Sequence, residues 1–217
     1  MPVALLMGQQ IISRSQLEPM DRLYRNNLIN SISGFKSANL IGTKGAKGVT
    51  NLAIFSSVTH FGSNPPLLGF VTRPTVVPRN TYENILREKF YTINHVNAEI
   101  TAKAHQTSAK YEGNESEFEI CGFEEQWTNH PAPYVKACKV KIGLSLAEKY
   151  HIKANDTILV LGNIEEIIVD EGSIGVDGFL DLSKVDTVAI NGLDSYLSVR
   201  KIARYSYARP GQQLELL

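Results

Sequence analysis

The sequence lacks the features that mark several large classes of protein. It contains only two cysteines, Cys121 and Cys138, which are far apart and outside any C-x-x-C pattern, so neither a disulfide framework nor a zinc site is expected. No run approaches the ~18 uninterrupted apolar residues of a membrane-spanning helix. The stretch from Met1 to Ile12 has no basic region and no long apolar segment, which argues against a secretory signal. We therefore expect a cytoplasmic protein that does not bind the membrane.

The sequence also has no excess of charge of either sign. Its 22 lysines and arginines balance its 22 aspartates and glutamates, which gives a formal net charge of zero. A neutral chain has no general attraction for nucleic acid or for an anionic membrane surface, so no nucleic-acid partner is expected. Any phosphate group that this protein binds must be held by a local arrangement of donors.

Glycine-rich and catalytic motifs are incomplete wherever they begin. Gly48 is followed by Val49 and Thr50 where a phosphate-binding loop needs Lys and then Ser or Thr, so residues 42–48 are better interpreted as a glycine-rich hairpin. Residues 172–178 carry three evenly spaced glycines but lie in no strand-to-helix turn, and residues 143–147 lack the last glycine of a nucleophile elbow. The five histidines form no pair at metal-binding spacing, and no catalytic residue or metal site is predicted.

Short apolar runs separated by glycine and proline dominate the chain after residue 34. Apolar residues at spacings of three and four, followed by Gly34, predict a helix over about residues 15–33. A short helix is predicted at Tyr82–Lys89, and a helix with a polar loop over 98–118. Strands are predicted over 49–59, 67–72, 90–94, 134–142, 157–169 and 186–190.

Strands outnumber helices in this pattern, and strands and helices do not alternate regularly. A mainly β fold with flanking helices is therefore expected, with an antiparallel barrel favoured over a doubly wound sheet. The length suits one domain over residues 1–217, which ends in a tail from about residue 190 to residue 217.

The segment from Val49 to Thr59 alternates as a strand with two different faces would. Leu52, Ile54 and Val58 share an aliphatic face that belongs in a core. The other face carries small, polar and aromatic groups, as in a strand that lines a ligand site: Asn51, Ala53, Phe55, Ser57 and Thr59. Asn64-Pro65-Pro66 is predicted to end this strand, because neither proline can donate to a ladder.

Two segments together resemble the FMN-binding region of the flavin reductase-like family. The first, residues 50–59, has the N-L-A-x-F-S pattern of a family strand and leads to Asn64-Pro65-Pro66, which is similar to the D/N-P-P turn of that family. The second comprises Arg73-Pro74 and then Arg79-Asn80-Thr81 at a predicted helix start, where the family has a basic residue followed by D/N-T.

The resemblance extends over most of the chain, from about residue 20 to about residue 210. Residues 38–43 are similar to the first barrel strand of the family, and residues 190–196 and 204–210 to its tail. The resemblance implies an antiparallel FMN-binding split β-barrel of Greek-key type. It also implies a homodimer with FMN near the subunit interface, and residues that hold FMN in the two segments: Asn51, Leu52, Ala53, Ser56, Ser57, Arg79, Asn80 and Thr81.

The chemistry of FMN explains why the family would need these residue types. A phosphate with about two negative charges can be met by a bidentate arginine, here Arg79, and by the donors of a helix start, here Asn80 and Thr81. The alternative for this triplet is plain capping of the helix by Asn80 or Thr81, with a solvated Arg79.

The flavin ring presents an edge of alternating donors and acceptors. Backbone groups of a strand with small side chains can approach such an edge closely, and Asn51 and Ala53 suit that role. Ser56 and Ser57 are left for the ribityl hydroxyls or the phosphate. Alternation puts these two serines on opposite faces, so both contact the ligand only if the strand bends there, and Ser57 could instead face solvent.

One departure from the family bears on the reaction. Many members that reduce free flavin carry a histidine in a G-D-H-T-like stretch before a late barrel strand. The matching stretch here is Ala154-Asn155-Asp156-Thr157, with Asp156 in the place of the histidine.

Two functions therefore follow from the resemblance. The first is an oxidoreductase in which NADH or NADPH delivers hydride to flavin N5 and electrons pass to a second flavin or another acceptor. The alternative is a non-catalytic FMN-binding electron-transfer protein of the flavoredoxin kind, with a redox partner protein. A third, simpler interpretation is a split barrel that has lost its flavin site and keeps a structural role.

Overall fold

The structure is a computed structural model that describes residues 8–111 and 115–217. Residues 1–7 of the N-terminal stretch and residues 112–114 of the predicted polar loop lie outside these ranges. Within them, a 3-10 turn at Ala98–Ile100 leads directly into α4, and the helices are α1 (Arg14–Leu17), α2 (Arg22–Ile32), α3 (Asn80–Glu88), α4 (Thr101–Gln106) and α5 (Glu117–Ile120).

The N-terminal helix predicted over 15–33 is two helices. Pro19 has no backbone N–H to donate, so the helix that begins at Arg14 ends at Leu17. Asp21 then starts α2, because its carboxylate accepts hydrogen bonds from the backbone N–H groups of Leu23 at 2.9 Å and Tyr24 at 3.0 Å. The prediction of one continuous helix is wrong at this point.

Twelve strands lie within the described residues. They are β1 (Lys36–Ser37), β2 (Asn39–Lys44), β3 (Thr50–Phe55), β4 (Thr59–Ser63), β5 (Pro66–Thr72), β6 (Phe90–His95), β7 (Glu125–Gln126), β8 (Tyr134–Val135), β9 (Val140–Ile152), β10 (Thr157–Val169), β11 (Ala189–Asn191) and β12 (Ser195–Leu197).

Seven of these strands form the main sheet, in the order β3-β2-β6-β9-β10-β5-β4. Every neighbouring pair in it is antiparallel. Strands that are distant in the chain lie side by side, with β2 beside β6 and β5 beside β10, as in a Greek-key arrangement. The predicted class, mainly β and antiparallel with flanking helices, is confirmed.

The main sheet curls until its distant strands touch. Four strands lie between β3 and β5 in the sheet order, yet the ring centroids of Phe55 on β3 and Phe70 on β5 are 5.0 Å apart. The sheet therefore closes around an inner core, which α3 plugs with Tyr82 and Ile85. The other members of this inner core come from the strands: Ile41, Phe70, Tyr91, Ile93, Ile142, Leu144, Ile158 and Val160.

A second cluster, the outer core, covers the opposite face of the sheet. Its strand residues pack against α4, α5 and the segment that carries β7 and β8. Both free cysteines, Cys121 and Cys138, are buried in it. The main sheet is thus buried on both faces around β2 and β6, which lie between the two cores.

The strand predicted over 49–59 is interrupted. β3 ends at Phe55, the chain bends at Ser56, and β4 begins at Thr59. Leu52 and Ile54 pack in the outer core as expected, but Val58 packs in the inner core beside Phe55. Val58 therefore does not share a face with Leu52 and Ile54, because strand alternation stops at the bend.

The remaining boundaries follow the predictions to different degrees. The strands over 67–72, 90–94 and 157–169 and the helix near 82–89 are found with small changes at their ends. Asn64 and Pro65 form the turn between β4 and β5 rather than the end of β3. The strand predicted over 134–142 is two elements, β8 and the long β9, and the strand predicted over 186–190 is β11 at 189–191.

Substitution of Phe70 tests how much the contact between Phe55 and Phe70 stabilises the closed sheet. The Phe70 side chain is fully buried between Phe55 and Tyr91, so Phe70→Ala should lower the free energy of unfolding by about 3–5 kcal/mol. Urea denaturation followed by circular dichroism measures the change. Val76→Ala, at a side chain that is 88% exposed, is the control and should cost less than about 0.5 kcal/mol. An equal decrease in the free energy of unfolding in both variants would contradict a role of Phe70 in closing the sheet.

Candidate flavin site

A buried hydrogen bond joins the two segments that the sequence singled out. The Asn51 Nδ2 group on β3 donates to Thr81 Oγ1 on α3 at 3.0 Å. Both residues are more than nine-tenths buried, and 30 positions separate them in the chain. The start of α3 is therefore held against β3 at one rim of the barrel.

The start of α3 is not capped by a side chain. Arg79 is the N-cap residue, and Asn80 and Thr81 are the first two residues of the helix. The capping alternative for Asn80 and Thr81 is therefore not realised. The Arg79 N–H donates to Glu83 Oε1 at 3.2 Å, and Arg79 Nε donates to the Pro74 carbonyl at 3.2 Å.

This helix start has the properties of an anion site. The first backbone N–H groups of a helix have no partner within it, and they carry the positive end of the helix dipole. Among the described residues, the terminal guanidinium nitrogens of Arg79 have no hydrogen-bond partner, and Arg79 is half-buried at the same place. The carboxylate of Glu83 is the opposing charge in this first turn.

Ser56 and Ser57 occupy the bend after β3, and they differ in their contacts. Ser57 Oγ donates to the Val71 carbonyl at 3.0 Å and accepts from the Val71 N–H at 3.1 Å, which fastens the bend to the end of β5. The Ser56 hydroxyl has no hydrogen-bond partner among the described residues. The alternative of a solvent-facing Ser57 is therefore not realised, and Ser56 is the serine with a free hydroxyl.

The register of β3 decides which of its backbone groups face outward. The Leu52 N–H donates to Glu117 Oε2 at 3.0 Å, so it points away from β2. Backbone groups alternate in direction along an antiparallel strand, so those of Asn51 and Ala53 pair with Thr43 and Ile41 of β2. The outward-facing backbone groups on this edge thus belong to Leu52 and Ile54, while the Asn51 side chain is used on Thr81. The Leu52 side chain is fully buried in the outer core.

Glu117 is a residue of this region that the sequence did not point to. It lies 65 positions from Leu52 on a separate short helix, and no motif marks it. Burial raises the pKa of its carboxyl, and the hydrogen bond from the Leu52 N–H opposes that rise. Glu117 therefore covers the open edge of β3 with an acceptor, at the cost of a buried charge.

Asp156, which stands where the family resemblance would place a histidine, lies in the hairpin between β9 and β10. Its backbone is left-handed, with φ of 58°, and its Oδ1 is 3.0 Å from His151 Nε2. Both side chains are more than half exposed. A histidine is thus present at this hairpin, five residues earlier in the chain and paired with the aspartate.

The curled antiparallel sheet, plugged by one helix and carrying its polar groups at one rim, defines a split-barrel protein. The profile of the flavin reductase like domain matches residues 33–177. A comparison with curated protein sequences gave no match. In the described part of the chain, no helix is long and apolar enough to cross a membrane.

Solved structures agree with this class. A Shewanella frigidimarina NCIMB 400 protein, described as a flavin reductase with a split barrel domain, is 47% identical with a TM-score of 0.89 and covers 92% of this chain and 100% of its own. The flavoredoxin of Desulfovibrio vulgaris (Miyazaki F) is 23% identical, with a TM-score of 0.66 over 82% of this chain and 91% of its own. An FMN-binding protein from Thermus thermophilus is 16% identical, with a TM-score of 0.64 over 76% of this chain and 87% of its own. The chain belongs to the flavin reductase-like family, as the sequence motifs predicted.

Glu117→Gln tests the buried carboxylate, because glutamine keeps an acceptor for the Leu52 N–H and removes the charge. A raised pKa means that the folded wild type binds this proton more tightly than the unfolded chain. Its free energy of unfolding should therefore fall as the pH rises above about 4.5, the ordinary pKa of the group. The variant should lack this fall, as measured by urea denaturation from about pH 4 to pH 8.

Glu119→Gln is the matched control on the same helix, since Glu119 is exposed. It should keep the pH profile of the wild type. Parallel profiles for the wild type and Glu117→Gln would show that the carboxyl titrates normally.

Proposed function

We propose that this protein binds FMN at the rim where β3 meets the start of α3. The observation that carries the proposal is the Asn51–Thr81 hydrogen bond, which holds the Arg79–Thr81 helix start against β3, the strand that leads into the bend at Ser56 and Ser57. Arg79 and the first N–H groups of α3 would hold the phosphate. The free Ser56 hydroxyl and Asn80 would serve the ribityl chain.

The donor set fits a phosphate ester of a ring compound. The helix start offers a guanidinium and unpaired N–H groups, which suit a dianion, and Glu83 is exposed enough to turn away into solvent. The Leu52 N–H already donates to Glu117, so the outer edge of β3 offers the Leu52 carbonyl and the backbone groups of Ile54 to the donors and acceptors of a flavin ring. Ala53 presents a small side chain on this strand, which lets a flat ring come near the backbone.

As the reaction, we propose an oxidoreductase that takes hydride from NADH or NADPH and passes electrons to a second flavin or another acceptor. Bound flavin would supply the hydride-accepting atom, N5, and the protein would supply binding, orientation and exclusion of water. Support comes from the relative with 47% identity, which is described as a flavin reductase. No side chain of this chain is assigned as an acid or base.

A non-catalytic electron-transfer protein, with a redox partner protein, is the second candidate. The observation that favours it is Asp156 at the turn where flavin-reducing relatives carry a histidine. The structural likeness to a flavoredoxin agrees with it at the level of fold. The cytoplasmic location stays a prediction from the sequence.

We further propose a homodimer with FMN near the subunit interface. Helix α2 has no buried residue in the single chain although it carries large apolar side chains. Such a surface is what a second copy would cover. The exposed side chains on α2 and just after it are Leu23, Tyr24, Ile29, Ile32 and Phe35.

Absorbance of the purified protein tests FMN binding directly. We expect flavin bands at about 370 and 450 nm, either as purified or after added FMN is bound and the excess removed. Colourless protein that takes up no FMN would refute every flavin function and favour the structural one. Oxidation of NADH and NADPH, followed with and without added FMN, then separates the two candidates, because background rates with both would exclude the reductase.

Arg79→Ala should weaken FMN binding by about 1.5–3 kcal/mol, the range for a hydrogen bond to a charged group. Quenching of flavin fluorescence in a titration measures the dissociation constant. Arg87→Ala is the control, because Arg87 is exposed at the other end of α3 and pairs with Glu88. Unchanged affinity in Arg79→Ala would place the phosphate elsewhere.

Tyr24→Glu and Ile32→Glu should convert the proposed dimer into a monomer, because each introduces a charge into an apolar contact surface. Sedimentation velocity measures the mass in solution. Asn26→Glu, an exposed polar position on the same helix, is the control and should leave the dimer intact. A wild-type protein that sediments as a monomer would refute the proposed dimer.

A further inference from the structure

A chain of buried and half-buried polar groups leads from the centre of the sheet to the bend after β3. Asn39 on β2 is fully buried, and its Nδ2 donates to Ser37 Oγ at 2.8 Å. The Ser37 hydroxyl in turn donates to the Val58 carbonyl at 3.3 Å. Val58 directly follows Ser57, so this chain of groups ends on the segment assigned above to the ribityl–phosphate part of the flavin.

The direction of these hydrogen bonds is determined by chemistry. A carbonyl oxygen only accepts, so the single hydroxyl proton of Ser37 is used on Val58. Ser37 must then accept from Asn39, which requires the amide nitrogen of Asn39 to face it. Asn39 Oδ1 has no partner in the described residues, and neither has Nδ1 of His95, which lies directly opposite on β6. The contact with Ser37 is thus the one that sets the amide orientation.

The bend is held from two sides by these contacts. Ser57 is fastened to Val71 of β5 through both its donor and its acceptor function, and Val58 is fastened to Ser37 of β1. Between β3 and these two anchors lies Ser56, with its free hydroxyl. Ser37, and through it Asn39, therefore holds the segment that directly follows Ser56 and Ser57, although neither residue is near this segment in the sequence.

We propose that Asn39 and Ser37 are positioning residues for the flavin: through the Val58 carbonyl they hold the bend in the conformation in which Ser56 meets the ribityl–phosphate chain. This inference rests on the proposed FMN site. Asn39 is fully buried and would not contact the ligand, yet it would contribute to the affinity for FMN.

Ser37→Ala is the mildest test, because it removes the hydroxyl and leaves the fold. We expect about tenfold weaker FMN binding, the loss that corresponds to ~1.4 kcal/mol. Binding of lumiflavin, which has the ring but no ribityl phosphate, should be unchanged. Asn39→Leu should have the same effect, and the double variant should be no weaker than either single one, because the residues act through one path. Full additivity would refute the shared path.

Asn39→Asp distinguishes a positioning role from a purely structural one, because only a positioning role predicts an FMN affinity that depends on the protonation of residue 39. The ionised carboxylate presents an acceptor to Ser37 and draws its hydroxyl proton away from Val58, whereas the protonated acid can donate to Ser37 as the amide does. Relative to the wild type at each pH, FMN affinity of this variant should be weak at pH 8 and recover as the pH falls through the pKa of the buried acid. A constant ratio across the pH range would refute the proposal.

One neighbouring group must be controlled in that experiment. Position 39 is faced by Phe55 from β3, by Ser37 from β1 and by His95 from β6, so His95 is its titratable neighbour among the described residues. Burial lowers the pKa of His95 to about 4, but a new carboxylate could pair with it. Repeating the pH series in the His95→Gln background removes that partner, and the recovery at low pH should persist.

Asn97→Ala is the matched control for a buried asparagine. Its Nδ2 donates to the Ala137 carbonyl at 2.8 Å, away from the bend, so it should lower thermal stability without changing FMN affinity. The failures are distinguishable. Wild-type protein that binds no FMN refutes the proposed function, whereas wild type that binds FMN while Ser37→Ala and Asn39→Asp bind it equally well at pH 8 refutes this inference alone.

Discussion

The contact between Phe55 and Phe70 is the interaction on which the rest of the molecule depends. It joins two strands that have four others between them in the sheet order, so it exists only because the sheet curls. Apolar burial drives the curl, since the inner face of every strand from β3 to β5 contributes to one core. Once the sheet has closed, the bend after β3 lies against the end of β5, and Ser57 can reach Val71. The candidate site is a consequence of that closure.

Closure of the barrel leaves an edge at β3, and the protein satisfies this edge with side chains. Glu117 accepts from the Leu52 N–H at this edge, and next to it the Asn51 side chain holds the start of α3 through Thr81. Because the Leu52 N–H is already paired, another chain cannot pair with β3 at that position, which limits aggregation. This pairing also leaves the neighbouring groups of β3 at a rim where a ligand can approach. The same strand thus serves the core on one side and a polar rim on the other.

Several parts of this structure could be predicted from short-range patterns. Apolar runs between glycines and prolines indicated the strands, and the order of N-L-A-x-F-S, N-P-P and R-N-T indicated the family. The failures have local physical causes. Pro19 divides the first helix, and the bend at Ser56 places Val58 beside Phe55 instead of beside Leu52. Periodicity cannot detect such a bend, because the spacing of residues 50–59 does not indicate that the Ser57 side chain forms hydrogen bonds with β5.

The sequence by itself determined the class of this protein: a neutral, mainly β, antiparallel chain with a basic residue at a helix start, whose motifs are those of the flavin reductase-like family. These properties follow from residue types and their spacing, which are local. Only the tertiary structure decided that Asn51 contacts Thr81, that Glu117 accepts from the Leu52 N–H, and that Asn39 donates to Ser37. Such contacts depend on how a closed sheet brings together residues that are distant in the chain. Each hydrogen bond also requires a distance of about 3 Å, which the spacing of residues in the sequence does not specify.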